Sequence, residues 1–142
     1  MKKLNEIMSR NVDVCHPDDN VYEAAVKMKN DNVGAIPVCR NGELMGVITD
    51  RDLAVRCIAE KRPGSTKVTD VMTKDLVTAS PDMDLEEAAA LMSSEQIRRL
   101  PVVESGKLVG IVSIGDLSLH RQSDMAAGRA LTDISENRGH IH

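Results

Sequence analysis

The sequence predicts a mixed α/β protein, of the α+β type, built from two tandem copies of one β-α-β-β-α unit. The first observation is a repeat: residues 7–53 align with residues 71–117 at a constant offset of 64, and 14 of the 47 aligned pairs are identical. About three identities would be expected by chance from ordinary residue frequencies. The second observation is that apolar residues at helical spacing alternate, within each copy, with short β-rich runs bounded by turn residues.

The predicted elements follow one another in the same order in both copies. A short β-rich strand opens each unit, at Val12–Cys15 and Leu76–Ala79, and ends at a Pro-Asp turn. The helix that follows has apolar side chains at i, i+3, i+4 and i+7, which predicts one buried face. These side chains are Val21, Ala24, Ala25 and Met28 in the first copy, and Leu85, Ala88, Ala89 and Met92 in the second.

A β-hairpin and a closing helix complete each unit. The hairpin turns are Asn41-Gly42 and Ser105-Gly106, and Asn-Gly is a strong hairpin signal because both residues tolerate positive φ. The closing helices are predicted near Arg51–Ala59 and Gly115–Gln122. Four strands form the two hairpins: Ala35–Cys39 with Leu44–Thr49, and Leu100–Val103 with Leu108–Ser113.

We predict that the two units form a single domain over residues 1–122. A unit of about fifty residues buries little core of its own, and two copies can cover each other's open faces about a pseudo-twofold axis. The first motif is assigned to residues 4–60 and the second to residues 68–122, with residues 61–67 as the linker. This pairing leaves two related clefts between the motifs. Residues 123–142 have no counterpart in the repeat and form a C-terminal tail.

Composition argues against several functions. The net charge of −4 and the lack of Trp and Phe disfavour nucleic-acid binding, which needs basic surfaces and stacking rings. No apolar run approaches the ~20 residues of a membrane span. Three cysteines without CxxC spacing suggest reduced thiols in a cytoplasmic protein. The histidine spacing suggests no metal site, and no phosphate-binding loop or catalytic triad pattern is present, so we predict neither an enzyme nor a required cofactor.

One motif ends each hairpin and carries the functional signal. Gly46–Asp52 and Gly110–Asp116 both read G-h-h-[ST]-x-x-D, where h is apolar. A carboxylate can accept hydrogen bonds from both hydroxyls of a cis-diol, and a helix start favours phosphate. The same spacing also fits a capping box, in which the Thr or Ser and the Asp only satisfy backbone N–H groups. Asp is shorter than the usual Glu or Gln and is expected to reach back poorly. The residues alone leave both interpretations open.

The repeat, the h-P-V strand and this motif together resemble the CBS-domain family in its paired form, the Bateman module. The resemblance covers about Leu4–Gln122, and short stand-alone bacterial pairs look most alike. It implies a regulatory module that binds AMP, ADP, ATP or S-adenosylmethionine in its clefts, signals to a protein partner in trans, and forms a homodimer through helix faces. It also implies that Thr49 and Ser113 contact ribose or phosphate, while Asp52 and Asp116 accept hydrogen bonds from the ribose hydroxyls.

The resemblance implies further site residues. Arg98 and Arg99 match a basic pair that contacts nucleotide phosphates in kinase regulatory subunits of this fold. Because adjacent strand residues point to opposite faces, only one of them is expected to bind phosphate directly. Solvated arginines that pair with carboxylates are the alternative. The residues expected to line the adenine are Val14, Cys15, Ile36 and Pro37 in one cleft, and Thr78, Ala79, Leu100 and Pro101 in the other.

Two functions of other classes compete with ligand sensing. The chain could be a protein-interaction scaffold, with empty clefts and motifs that only cap helices. It could also be a redox-linked regulator that uses Cys15, Cys39 or Cys57.

Overall fold

The computed structural model describes residues 2–123, and the predicted tail lies outside the described residues except for Ser123. In chain order the elements are α1 (Leu4–Ile7), α2 (Val21–Asp31), β1 (Ala35–Arg40), β2 (Glu43–Thr49), α3 (Asp50–Asp52), α4 (Leu85–Glu95), β3 (Arg99–Glu104), β4 (Lys107–Ser113) and α5 (residues 114–123). A π-helical segment, Leu53–Ile58, continues α3, and a 3-10 turn, Val68–Asp70, lies between the units. Both predicted closing helices are present, although the first is mostly π-helical.

The two long helices, α2 and α4, begin and end in the same way. The side chains of Asn20 and Asp84 each accept a hydrogen bond from the backbone N–H three residues ahead, at 2.9 and 2.8 Å. The helices end at Asn32 and Gln96, which both have a left-handed backbone. Ala25, predicted to be buried, is exposed because the buried stripe of α2 follows i, i+3 and i+7 only. No helix within residues 2–123 is long and apolar enough to cross a membrane.

The two hairpins have the same register, which confirms the predicted repeat in three dimensions. Ala35 lies opposite Thr49 in the first hairpin, and the equivalent Arg99 lies opposite Ser113 in the second. Both hairpins shift register at the equivalent place. All four residues of the Asn-Gly and Ser-Gly turns have positive φ, as the turn chemistry predicts.

The hairpins meet at their tips to form one four-stranded sheet of order β1-β2-β4-β3. The central strands pair through Glu43 and Lys107, and two backbone hydrogen bonds of 2.9 and 3.3 Å flank this pair. Beyond the tips, other parts of the chain pair with the inner edges of β2 and β4. The two units are therefore joined at one end of their strands.

Each inner edge pairs with the segment that leads into the other unit. Ser9, which precedes the first unit, exchanges backbone hydrogen bonds of 2.9 and 3.0 Å with Ile111 of β4. Thr73, which precedes the second unit, exchanges bonds of 2.8 and 3.0 Å with Val47 of β2. The two units thus reach across to each other in the same way, as a pseudo-twofold axis requires.

The crossing segments, residues 4–9 and 68–73, also exchange hydrophobic cores. Leu4 and Met8 are buried in the core of the second unit. Three residues of the other crossing segment are buried in the core of the first unit: Val68, Val71 and Met72. By packing, the start of each sequence repeat therefore belongs to the opposite unit.

The crossing explains why two predicted strands are so short. The strands predicted at Val12–Cys15 and Leu76–Ala79 each form one parallel bridge, through the last residue. In the first unit, Ser9 pairs with β4 whereas Cys15 pairs with β1. The residues between them span from one unit to the other, so they cannot run beside either strand.

Two glycines give the crossing segments the space they occupy. A Cβ atom at Gly46 would lie 2.7 Å from the sulfur of Met72 and 2.9 Å from the carbonyl oxygen of the next residue. A Cβ atom at Gly110 would lie 2.5 Å from the sulfur of Met8 and 3.0 Å from the next carbonyl oxygen. A methionine side chain can move aside, but a backbone oxygen held in a strand pair cannot. The glycine of each motif is therefore required by a close backbone approach.

We expect Gly46→Ala and Gly110→Ala each to lower the free energy of unfolding by about 1–3 kcal/mol, because the added methyl group displaces a crossing segment. Urea unfolding measures this loss. Gly115→Ala is the matched control, since no atom lies within 4 Å of its Cβ position and Ala favours the helix by about 0.5–1 kcal/mol. Unchanged midpoints for the first two variants would contradict the proposed close approach.

Candidate functional site

The two motifs lie at equivalent places, where β2 and β4 end and the closing helices begin. The hydroxyl oxygen of Thr49 accepts a hydrogen bond from the backbone N–H of Asp52 at 3.0 Å. The hydroxyl oxygen of Ser113 accepts one from the backbone N–H of Asp116 at 3.1 Å. Both hydroxyl groups therefore cap helices, as the capping interpretation requires. The carboxylates of the two motifs, however, differ in burial and in hydrogen bonding.

The carboxylate of Asp52 is buried and fully engaged. It accepts a hydrogen bond from the backbone N–H of Thr49 at 3.1 Å, which completes a capping box. The expectation that Asp would reach back poorly is wrong here. The hydroxyl of Thr73, in the crossing segment, donates to both carboxylate oxygens at 3.1 and 3.2 Å. Arg56 Nε lies 3.8 Å away, and Asp52 is only 6% exposed.

The carboxylate of Asp116 has a different environment. The residue is exposed, and its side chain makes no hydrogen bond or ion pair with any residue in the described range 2–123. Its two oxygens can therefore accept hydrogen bonds from a ligand without the loss of an existing contact. The ribose role predicted for Asp116 is compatible with this geometry.

Arg98 and Arg99 lie beside the second motif, at the start of β3. The carbonyl oxygen of Arg98 accepts a hydrogen bond from Ile114 N–H at 2.8 Å, and Arg99 lies directly opposite Ser113 in the strand pair. Arg98 is exposed, whereas Arg99 is half-buried. Arg99 Nε is buried and is the one such side-chain nitrogen or oxygen in residues 2–123 that lacks a hydrogen-bond partner. A buried donor without an acceptor costs about 1–3 kcal/mol, so a movement of Arg99 that gave Nε an acceptor would be favourable.

The first motif has no arginine at the start of β1, and the cations near it, Arg51 and Arg56, lie on its closing helix. Gly34 and Ala35 occupy the positions equivalent to the two arginines. The carboxylate of Asp50 lies over Gly34, since a Cβ atom there would be 2.9 Å from its oxygen. A negative charge therefore stands at the first motif where the second motif has two positive ones.

The residues predicted to line the adenine are mostly inside the protein. Four of them belong to the two hydrophobic cores: Cys15 and Ile36 in the first unit, and Ala79 and Leu100 in the second. The prolines Pro37 and Pro101 are also buried, whereas Val14 is half-buried and Thr78 is exposed. Both residues of each strand pair, Ile36 with Pro37 and Leu100 with Pro101, are buried, so the adenine lining stays a prediction.

A cavity of about 450 Å³ lies at the hairpin tips, away from the motif ends. Among the predicted ligand-binding residues it contains only Val14, and its ionisable lining residues, Arg10, His16 and Asp19, were not predicted to bind a ligand. Gly110 also lines it, about 10 Å along β4 from Ser113. No local sequence signal indicated this cavity, because it forms where the chain that follows the first crossing segment passes the hairpin tips. The remaining lining residues are Val12, Cys39, Asn41, Gly42, Leu108 and Val109.

Comparison with known sequences identifies the repeated unit. The CBS domain matches this chain twice, at residues 4–57 and 68–121. Two proteins of Bacillus subtilis (strain 168) are similar over nearly their whole length. The uncharacterized protein YlbB is 52% identical over 138 residues, which cover 96% of this chain and 93% of that protein. The CBS domain-containing protein YhcV is 46% identical over 140 residues, which cover 99% and 100%.

Solved structures agree with the sequence comparison. The crystal structure of CBSX2 in complex with AMP matches with a TM-score of 0.78 and 27% identity, over 88% of this chain and 99% of that one. The CBS domain pair of protein MJ0100, in complex with 5'-methylthioadenosine and S-adenosyl-L-methionine, matches with a TM-score of 0.76 and 27% identity, over 87% and 98%. The two sequence matches, with the paired fold and its equivalent motifs, show that this chain belongs to the CBS domain family as a tandem pair.

Proposed function

We propose that this CBS pair is a regulatory module that binds an adenosine nucleotide beside the second motif, at Arg99, Ser113 and Asp116. The observation that carries the proposal is a cation whose buried Nε lacks an acceptor, paired across the strands with Ser113, three residues before the unengaged carboxylate of Asp116. Arg99 Nε is buried without a partner, and Arg99 lies opposite Ser113, whose hydroxyl caps the helix turn that holds Asp116. The complexes of CBSX2 with AMP and of MJ0100 with two adenosine compounds support the same ligand class.

The chemistry of these groups matches two parts of a nucleotide, the ribose and the phosphate. A carboxylate with two free oxygens can accept a hydrogen bond from each hydroxyl of ribose, and a bond to a charged group contributes about 1.5–3 kcal/mol. A guanidinium group binds phosphate oxygens through several N–H donors at once. Asp116 therefore offers the acceptor oxygens that ribose hydroxyls require, and Arg99 offers the positive charge and the donors that a phosphate requires.

The finer parts of the proposal follow from the family. AMP, ADP, ATP and S-adenosylmethionine all contain the ribose and adenine that the site would hold. In this proposal the nucleotide-bound state acts on a separate protein, in trans. We place this regulation in the cytoplasm, where these nucleotides are abundant and where three free cysteines stay reduced.

The environment of the cysteines argues against the redox alternative. Cys15, Cys39 and Cys57 are all buried and free. Burial raises the pKa of the Cys15 thiol to about 11, with a smaller contribution from the charge of Asp19. Burial also raises the pKa of Cys39. A reactive cysteine needs a lowered pKa and access to solvent, whereas Cys15 and Cys39 have raised pKa values and all three thiols are buried.

Exposed apolar residues on the closing helices support a dimer of pairs. Val55 and Leu119 are 48% and 66% exposed, and they occupy equivalent positions in the two units. Ile58, one turn after Val55, is 73% exposed. We propose that a second copy of the chain covers this face, because a pseudo-symmetric pair of apolar positions suits an interface between two identical partners.

Nucleotide binding is tested with the protein stripped of bound ligand and titrated calorimetrically. We expect Asp116→Ala to weaken both AMP and adenosine by about 10- to 100-fold, because both ligands contain the ribose. Arg99→Met should weaken AMP by a similar factor and leave adenosine within about 2-fold, because only AMP has a phosphate. Arg98→Met is the matched control and should have the smaller effect on AMP. If AMP, ATP and S-adenosylmethionine all fail to bind the wild type, the sensing proposal is wrong and the scaffold function replaces it.

The buried thiol predicts a loss of stability in alkaline solution. The Cys15 pKa rises from 9.0 in the unfolded chain to about 11 in the fold. Between these pH values the unfolded thiol ionises and the folded one does not, so the free energy of unfolding should fall as pH rises, by at most about 2–3 kcal/mol. Urea unfolding of Cys15→Ala should show a smaller fall, relative to its own value at neutral pH. Rapid labelling of the folded wild type by a thiol reagent at neutral pH would instead support the redox alternative.

The dimer is tested by sedimentation at micromolar concentration. We expect the wild type to sediment at about twice its mass of 15.5 kDa. Val55→Asp combined with Leu119→Asp should give a monomer, because two buried charges would face an apolar partner. Met45→Asp, at an exposed apolar position of β2, should leave the dimer intact. A wild-type monomer at this concentration would refute the dimer.

A further inference from the structure

We infer that the two copies of the motif have different roles: Asp52 is a structural latch, and each chain binds one nucleotide, at Asp116. This inference rests on the proposed nucleotide site for its binding half, while its structural half stands on the contacts of Asp52 alone. The latch is defined by four residues: Asp52, Thr49, Thr73 and Arg56.

The contacts of Asp52 fasten the second crossing segment to the first unit. Thr73 belongs to that segment, and its hydroxyl donates to both carboxylate oxygens. Arg56 reinforces the attachment, because its guanidinium lies beside Asp52 and also donates to the carbonyl oxygen of Met72 at 3.3 Å. One carboxylate thus connects the motif, the closing helix and the crossing segment.

A ribose could reach Asp52 only if these contacts were broken. The side chain of Asp52 is 8% exposed, so its oxygens face the Thr49 N–H and the Thr73 hydroxyl and not solvent. A buried carboxylate that loses its donors is strongly destabilised. A ligand would have to replace each lost hydrogen bond before it gained any affinity.

The second unit lacks the partners that would form such a latch. Ser9 stands at the position equivalent to Thr73, and His120 at the position equivalent to Arg56. Neither side chain makes a hydrogen bond or an ion pair with Asp116 in the described part of the chain. The motif is the same in both units, but the residues that approach it from outside are not.

The shape of the closing helices agrees with this division. The first closing helix turns from α-helix to π-helix directly after Asp52, over Leu53–Ile58, whereas α5 is α-helical over residues 114–123. Short π-helical stretches are rare, so the two closing helices differ in backbone geometry as well as in the contacts of their motif carboxylates. Here the π-helical segment contains Arg56, which completes the latch.

The charges beside the two motifs also differ, and the difference affects the binding of a negatively charged nucleotide. Beside the second motif lie Arg98 and Arg99, whereas Asp50 covers Gly34 beside the first. A phosphate at the first motif would meet a carboxylate and no arginine from the equivalent positions. At the first motif, Arg56 is engaged with Asp52 and the carbonyl oxygen of Met72, so the charges at these strand positions favour a phosphate at the second motif.

The binding half is tested by calorimetric titration of the full chain with AMP. We expect one AMP per chain for the wild type. Asp52→Asn and Thr73→Val should keep this stoichiometry and an affinity within about 2-fold, whereas Asp116→Asn should lose at least 10-fold. Two AMP molecules per chain, or a loss at Asp52→Asn equal to that at Asp116→Asn, would overturn the inference.

The structural half is tested by thermal unfolding without ligand, using two matched pairs. Thr73→Val should lower Tm by about 3–8 °C, because it leaves a buried carboxylate short of a donor, and Ser9→Ala should leave Tm nearly unchanged. Asp52→Asn should likewise lower Tm more than Asp116→Asn. Equal shifts within both pairs would refute the latch. If no adenosine compound binds the wild type, the proposed function fails, but these melting temperatures still decide whether Asp52 is a latch.

Discussion

Each crossing segment lies against a strand of the other unit at a distance that only a residue without a side chain permits. At Gly46 the carbonyl oxygen of Thr73 would be 2.9 Å from a Cβ atom, and the symmetric contact at Gly110 is nearly as close. This approach lets the segment pair with the strand edge and insert its apolar residues into the opposite core. It also brings the hydroxyl of Thr73 within reach of Asp52. The sheet, both cores and the difference between the two motifs all depend on it.

Local patterns were sufficient to predict the helices and the hairpins. The Asn-Gly turn sets the register of its hairpin by chemistry that involves only neighbouring residues, and Asn20 and Asp84 cap their helices in the same local way. The exchange of crossing segments could not be predicted in this manner. The stripe formed by Val68, Val71 and Met72 indicates a buried face, but both cores consist of the same residue types, so the stripe does not indicate which core it enters.

The site was predictable to the extent that its residues are close in sequence or paired across one hairpin. The motif located Ser113 and Asp116, and the resemblance placed Arg99 beside them; the strand register brings these residues together. The burial and bonding of Asp52 were not predictable, because Thr73, whose hydroxyl donates to its carboxylate, lies 21 residues away in sequence. The shared motif pattern in the two copies conceals this difference, since burial of a carboxylate depends on what approaches it in space.

The exchanged segments also determine when each unit can become stable during synthesis. The core of the first unit is incomplete until Met72 has emerged, and the core of the second unit contains both Leu4 and Leu117. Leu4 must therefore remain without its core until almost the whole described chain has been made. Contacts so distant in sequence close large loops, and such loops slow folding. The two units consequently complete their cores at different stages, the first once Met72 has been made and the second only after Leu117.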